Sequence, residues 1–491
     1  MGFGSSSSRL IAGLVLVGAT SFAIMGGPAV AATFTVTNVL ASGAGSLSQA
    51  LQDAEANPGA DTITFDPSTN GLTIPTGANI NNHSVTIIGN GVGVTILSGQ
   101  INVNAGLGGT AAATVSDVTA SSINVNSGSN STTTTTASFT DVVVSTGGIN
   151  VNSGSGSITT ASFTDVVVSA GGVNVNSGFG ESSTTASFTT SSVIGGFNAN
   201  ASASTTTVTI DASTIQGAEG EDVLRANDSG TTVVVRTSTL TNGDDGIDVS
   251  GATVNVTNST VSNVAGDGVT VNNGSVTLQN VTVADTGADS LNLSGQSTVT
   301  VGNSLFGGSV GDACTLEQPA SLGGNLADDA TCGFTAVGDQ ESVSLLLGPL
   351  ADNGGPTLTR LPGAGSPAID GGVATGCPTS DQRDVARPQD GDGNSTVVCD
   401  SGAVEVAAQP AVTTTTAAAV TTTTVAAVTT TTVPVVTTTM PAAGAPVTTA
   451  VPIAPVLPDT GAATSISLLA IVAFALGTGL VVIAMRRRPT T

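Results

Sequence analysis

An all-β fold built as a parallel solenoid is what this sequence predicts, and three observations predict it. A tetrapeptide of alternating apolar and amide residues recurs along the middle of the chain. Its spacing stays between 22 and 26 residues. The chain also has too few aromatic residues for one large conventional core: no tryptophan, no tyrosine and 12 phenylalanines in 491 residues.

The repeat comes first. Ile101-Asn102-Val103-Asn104 returns as Ile123-Asn124-Val125-Asn126, Ile149-Asn150-Val151-Asn152 and Val173-Asn174-Val175-Asn176, then more loosely at Phe197. Val223, Ile247, Val269 and Leu291 open further units, so the nine anchors are spaced 22, 26, 24, 24, 26, 24, 22 and 22 residues apart. A period in this range signals stacked repeats. Within each unit the period is two, which puts aliphatic side chains on one face and amides on the other.

A second strand follows in most units, with apolar positions five apart: Phe139 and Val144, Phe163 and Val168, Phe188 and Val193. An odd offset requires a bend between them. Thr140-Asp141, Thr257-Asn258 and Gln279-Asn280 suit one. Strand, corner, strand and glycine-rich turn, repeated over residues 101–310, describe a parallel β-helix. At ~4.8 Å per coil, nine coils make a rod of roughly 40 Å. Asn124, Asn150, Asn174 and Asn198 are expected to form an amide ladder along it.

The ends of a solenoid need covering. Residues 33–100 supply an N-terminal cap with a short helix, Ser46 to Ala56. Ser46 is its N-cap, Leu47, Ala50, Leu51 and Ala54 are its apolar face, and Asn57-Pro58-Gly59 ends it. Residues 311–406 supply the C-terminal cap and hold all four cysteines. An even count in an exported chain suggests disulfides. Of three possible pairings, Cys314 with Cys332 and Cys377 with Cys399 closes short loops.

Two stretches carry a family resemblance. The first runs Gly45-Ser46-Leu47-Ser48-Gln49-Ala50-Leu51, then Ala56-Asn57-Pro58-Gly59-Ala60-Asp61-Thr62-Ile63-Thr64-Phe65. It resembles the N-terminal part of bacterial β-helix surface proteins, with Ser48 where their pattern has arginine. The second comprises Gly365-Ser366-Pro367-Ala368-Ile369-Asp370, Asp381-Gln382-Arg383, Ala386-Arg387-Pro388 and Cys399-Asp400-Ser401-Gly402-Ala403-Val404-Glu405. It is similar to the choice-of-anchor region of the same proteins. The resemblance implies a right-handed, pectin-lyase-like β-helix and a surface location. It implies no activity.

Both chain ends read as addresses. Residues 1–32 have the form of a secretory signal: Arg9, an apolar core from Leu10 to Met25, and the small-x-small exit Ala29-Val30-Ala31 before Ala32. Residues 407–456 are a Thr/Ala/Pro-rich stalk with no packing pattern, expected to be disordered and to reach on the order of 150 Å if extended. Residues 457–491 then give Leu457-Pro458-Asp459-Thr460-Gly461, an uncharged run from Ile466 to Met485, and Arg486, Arg487 and Arg488. A run of about 20 apolar residues is long enough for one transmembrane helix, with the arginines on the cytoplasmic side. This order resembles the LPxTG sorting signal of Gram-positive surface proteins. The resemblance implies that a sortase cleaves between Thr460 and Gly461 and joins the threonyl carbonyl to peptidoglycan. The protein would then be extracellular and covalently held on the cell wall, touching membrane only through that helix before sorting.

Charge excludes some partners. From Thr33 to Thr460, five arginines against 34 acidic residues leave −29, and the chain has no lysine. Such a surface repels phosphate polymers, so nucleic acid is not a partner. It attracts cations. Glu221, Asp245, Asp267 and Asp289 each lie two residues before an anchor and are expected to stack on successive coils, near Arg225 and Arg236. They read as solvated turn acids, as a cation site, or as catalytic carboxylates. Polygalacturonase-like β-helix enzymes need a histidine and a lysine motif, but the sole histidine is His83, which reads as a surface residue. Asp390-Gly391-Asp392-Gly393-Asn394 is a turn or a calcium loop whose ligands would include Asp390 and Asp392. No cofactor is expected, calcium being the candidate ion. The functional expectation is a non-catalytic adhesin or structural rod that binds a glycan or protein. The alternative is an anchored polysaccharide lyase or glycoside hydrolase acting on acidic polysaccharide.

Overall fold

Short alternating strands set the first wall of every coil. In the computed structural model, which describes residues 30–315, 317–407, 473–476 and 479–482, the strands Ile101–Ala105, Ile123–Ser127, Ile149–Ser153 and Val173–Ser177 bury every second residue. They stack in parallel and in register, Ile149 lying between Ile123 and Val173. Eleven such strands form one sheet, from Ala78–Asn81 to Cys314–Thr315. The repeat therefore extends past both of the outermost anchors read from sequence.

Two amide ladders run along the outside of this sheet. Asn124 donates to Asn102 at 2.9 Å and Asn150 to Asn124 at 3.0 Å, as expected. Asn198 holds the expected register opposite Asn174. The second ladder is longer: Asn104, Asn126, Asn152, Asn176, Asn200 and Asn227 each donate to the asparagine one coil below, at 2.7–3.3 Å.

The register corrects one anchor. Phe197 pairs with Leu224, and Leu224 with Ile247. Leu224, not Val223, therefore opens that coil. Both side chains are fully buried, so the apolar pair offered two candidates and even spacing favoured the wrong one.

The second wall bends where the odd spacing requires it. Thr134–Val144 and Ile158–Val168 bury Phe139 with Val144 and Phe163 with Val168. Between them Asp141 and Asp165 have φ of 52° and 54°. At this corner one residue per coil takes the left-handed conformation, in the series Asp117, Asp141, Asp165, Thr190, Ala212, Thr237, Asn258, Asn280 and Asn303. A single such residue skips a side-chain position, so residues on both sides of the corner point inward. Aspartate and asparagine tolerate this region, whereas alanine and threonine are strained there. Buried serines of the coil above hold the bend: the N–H of Ser191 donates to Ser213 Oγ at 3.0 Å and that of Ser213 to Ser238 Oγ at 3.1 Å. Ala212, at φ 48°, gives a direct test. Ala212→Gly should raise stability by ~0.5–1 kcal/mol, because relief of the left-handed strain exceeds glycine's extra unfolded-state entropy. Urea unfolding midpoints would measure it.

The interior is one continuous apolar column from Val36 to Phe334. Phe139, Phe163 and Phe188 stack through it with ring centroids 5.1 and 4.5 Å apart, and Phe197 meets Phe188 edge-on at 5.1 Å. The first coils are covered by the helix Leu47–Ala56. Ser46 caps it by accepting the N–H of Gln49 at 3.2 Å, and Leu47, Ala50, Leu51 and Ala54 are its buried face.

The C-terminal segment departs from a simple end cap. Near the end, Leu326 and Gln340 continue the parallel stacking. Residues 357–406 instead run back along the flank of the rod and bond to its corners. Asn258 Nδ2 donates to the Ser380 carbonyl (2.6 Å), Asn280 Nδ2 to that of Asp400 (3.1 Å) and Asn303 Nδ2 to that of Val373 (2.9 Å). The corner asparagines thus serve the strap as well as the bend. Both disulfides have the neighbour pairing, Cys314–Cys332 and Cys377–Cys399.

Residues 412–491 form a separate unit. Its described residues, Ala473–Leu476 and Gly479–Val482, are two antiparallel strands. The transmembrane helix expected from Ile466 to Met485 is therefore not what the described part of this run shows, and no helix among the described residues is long and apolar enough to cross a membrane. An apolar run without polar periodicity fits strand as well as helix. The signal core with Ala29, the stalk from residue 408 and Leu457, Pro458, Asp459, Thr460 and Gly461 lie outside the described residues.

Candidate functional site

The acidic row exists, with one member changed. Asp222, Asp245, Asp267, Asp289 and Asp312 each stand two residues before the opening residue of a coil. Glu221 is exposed and off the row, a direct consequence of the anchor being Leu224. Four of these five carboxylates accept a backbone N–H of the next coil. Oδ1 of Asp222 accepts the N–H of Asp245 (3.2 Å), and the pattern repeats from Asp245 to Asp267 (2.7 Å), Asp267 to Asp289 (2.8 Å) and Asp289 to Asp312 (2.8 Å). In Asp245, Asp267 and Asp289 the second oxygen takes a side chain of the coil above. Thr270 donates to Asp245 Oδ2 at 2.9 Å and Asn292 to Asp267 Oδ2 at 2.7 Å, and the Thr315 hydroxyl reaches Asp289. Backbone N–H dipoles therefore offset the repulsion between stacked charges.

Asp222 ends the row on an ion pair. Its Oδ2 takes Arg225 Nε and Nη2 at 3.0 and 2.5 Å, while Asp248 Oδ2 lies 3.4 Å from Nε. Burial works against the charge of Arg225, but Asp222 and Asp248 outweigh it and raise its pKa. A guanidinium held this way is a fixed cation and not a base. Burial first, and then neighbouring carboxylates, raise the pKa of Asp245 and Asp248. Arg236 stands in the other sheet, paired with Asp211 and Thr257, away from the row.

Asp390 and Asp392 come together with Asp370, a residue that local spacing did not suggest. Carboxylate oxygens of the three lie within 4.8 Å of one another, a spacing that ligands 2.3–2.6 Å from Ca²⁺ adopt. The loop is also tied by its own backbone: Asp392 N donates to Asp370 Oδ2 (2.9 Å) and Ser395 N to Asp390 Oδ2 (2.8 Å).

The remaining motif residues of the flank are buried structural charges. Arg387 and Glu405 pair at 2.9 Å with both side chains fully inaccessible. Arg387 also donates to the carbonyls of Asp400 (2.9 Å) and Gly402 (2.7 Å). Asp381 pairs with Arg383 at 2.9 Å and accepts the Glu405 N–H at 2.8 Å. Asp400 accepts the N–H groups of Asp370 and Val406, both at 2.6 Å. Burial pushes the Asp400 carboxyl up to about 7 and raises Glu405.

A pH dependence follows. A carboxyl with a raised pKa in the fold holds its proton there after the unfolded chain has released it. Between the unfolded value near 4 and the folded value near 7, the native state therefore binds more protons. Stability falls as pH rises through that window. Asp66 and Asp329 are lowered, Asp66 by Ser68 and Asp329 by Thr331 bonds that outweigh burial, so they act only below the window. Thermal melts should give a higher Tm at pH 5 than at pH 8.

The comparisons bear on this architecture. A family model described as a right handed beta helix region matches residues 195–346. The chain is a right-handed β-helix over that stretch. No curated protein matches the chain. Two solved structures are similar in shape. The crystal structure of pectate lyase Pel9A is 14% identical, with 76% of this chain and 96% of that one covered at a TM-score of 0.42. The Azotobacter vinelandii mannuronan C-5 epimerase AlgE6 A-module is 13% identical, covering 57% of this chain and 94% of its own at 0.34.

A recess of about 340 Å³ is lined by Ala60, Ser84, Thr86, Ala112, Thr114, Thr136 and Ser138 among others, none of them titratable. Asp222, Asp312 and Asp370 are the residues sequence reading missed. Asp312 was accessible to it, since Gly311-Asp312-Ala313-Cys314 repeats the pattern of Gly266-Asp267-Gly268-Val269.

Proposed function

We propose that the protein is an exported, wall-attached β-helix rod that acts by binding and presentation, without catalysis. The carrying observation is the use of the acidic row. Asp245, Asp267 and Asp289 each hold a backbone N–H of the next coil. Their charges are committed to the fold. Arg225, the one arginine on the row, is held between Asp222 and Asp248. Two disulfides and the signal-like first 32 residues support export. Leu457-Pro458-Asp459-Thr460-Gly461 and the basic tail support sortase and peptidoglycan as partners. The outward ladders of asparagine and aspartate give a regular polar face suited to a glycan or a protein ligand.

Incubation of the folded rod with a panel of acidic polysaccharides, with and without calcium, tests the reading. The expected result is no new reducing end and no unsaturated product, together with retention of a glycan or matrix protein in a binding screen. Depolymerisation that disappears in Asp245→Ala would establish the alternative, an acid-cluster lyase or hydrolase. Incubation of the chain with sortase and an amine acceptor tests attachment: the product should end at Thr460.

A further inference from the structure

One core position of the rod holds a carboxyl group with no charged partner. Asp61 lies in the strand Ala60–Phe65, whose inward residues are Asp61, Ile63 and Phe65. In the following coils the register-equivalent residue is apolar every time: Val85, Ala113, Ala137, Ala161, Ala186 and so on to Val299. Asp61 is 1% exposed. Its Oδ1 accepts Asn57 Nδ2 and the backbone nitrogen of Ala32, both at 2.7 Å. Its Oδ2 is buried and has no partner. None of the five ion pairs among the described residues includes Asp61, and the chain has no lysine. A buried carboxylate needs a cation and filled lone pairs to be tolerated.

The candidate cation is latent in Ala32. Its carbonyl already accepts the Thr62 N–H at 2.8 Å, so it is anchored in the first coil, while Val30 and Ala31 are exposed. As part of a peptide bond its nitrogen has one hydrogen and no charge. We propose that Asp61 is a docking site for the processed N-terminus, with signal peptidase cutting between Ala31 and Ala32. Water adds to the Ala31 carbonyl carbon, the C–N bond breaks, Ala31 leaves as a carboxylate and Ala32 keeps its nitrogen as an ammonium. That group carries three N–H donors, one for Oδ1 and another for Oδ2, and its charge neutralises the carboxylate. Removal of the signal thus completes the first coil. This inference rests on the export reading, and it selects one of two cleavage points that the run Ala29-Val30-Ala31-Ala32 permits.

The absence of lysine makes the α-amine the only primary amine of the exported chain. The full chain is expressed in a secreting bacterial host, and its N-terminal peptide is identified by mass and sequence. The folded protein is then treated with an amine-reactive ester near neutral pH, beside a sample in concentrated urea. The expected peptide begins at Ala32. Its labelling should be at least about tenfold slower in the folded sample, the effect of stabilising the ammonium by one pKa unit. Asp61→Asn should remove most of that protection. Should that variant not fold, the wild-type ratio alone decides. A first residue of Thr33, or equal labelling in both samples, would overturn the docking. Recovery of Met1 would instead overturn the export reading on which it rests.

Discussion

Glu405→Ala is expected to destabilise the flank of the rod by about 3–5 kcal/mol. The substitution leaves Arg387 fully buried without its carboxylate, which now takes Nη1 at 2.9 Å. It also frees the N–H groups of Gln389 and Asp400, which donate to Glu405 at 2.6 and 2.9 Å. Arg387 cannot escape to water, because Nη1 and Nη2 are also held by the carbonyls of Asp400 and Gly402. The loss should appear as a lower urea midpoint. Arg387→Met with Glu405→Leu should recover much of it, because a buried pair replaced by apolar groups of similar volume no longer carries an uncompensated charge. A double variant as unstable as Glu405→Ala would contradict this reading of the motif.

The second large effect is Phe163→Ala, expected to cost about 3–5 kcal/mol. Phe163 lies between Phe139 and Phe188, with rings 5.1 and 4.5 Å away and nearly parallel to both. The parallel strand pairing on both walls fixes the coil spacing, so neighbours cannot collapse into the cavity. In a solenoid each coil contacts only the next, so a gap here weakens coupling between the two halves. The unfolding transition should move to lower denaturant and broaden. Phe163→Leu should show the same trend at a fraction of the size.

Much of the fold is legible in the sequence because a β-helix writes its geometry as a repeat. Each Ile-Asn-Val-Asn unit declares its buried face, and the five-residue offset of Phe139 and Val144 requires the corner found at Asp141. Legibility falls where two residues satisfy the same rule. Val223 and Leu224 are both buried, and only strand pairing shows that Leu224 opens the coil, which moves the row from Glu221 to Asp222. It falls again where contacts are distant along the chain. The strap along the flank is joined to its corners by bonds such as Asn258 to Ser380 and Asn303 to Val373. Asp370 meets Asp390 and Asp392 for the same reason. No local pattern encodes such meetings. At Ile466 to Met485 the hydropathy was clear and the conformation was not, since an apolar run suits both helix and strand.

Everything from the amide ladders to the committed aspartates requires the coils to lie on one axis in one register. Spin labels at Asn79→Cys and Asn292→Cys test that directly. Register places them at the same position of coils nine steps apart, so pulsed dipolar spectroscopy should give one narrow distance near ~43 Å at the usual strand spacing. A broad distribution, or a mean far below that length, would mean that the coils do not form a single stack.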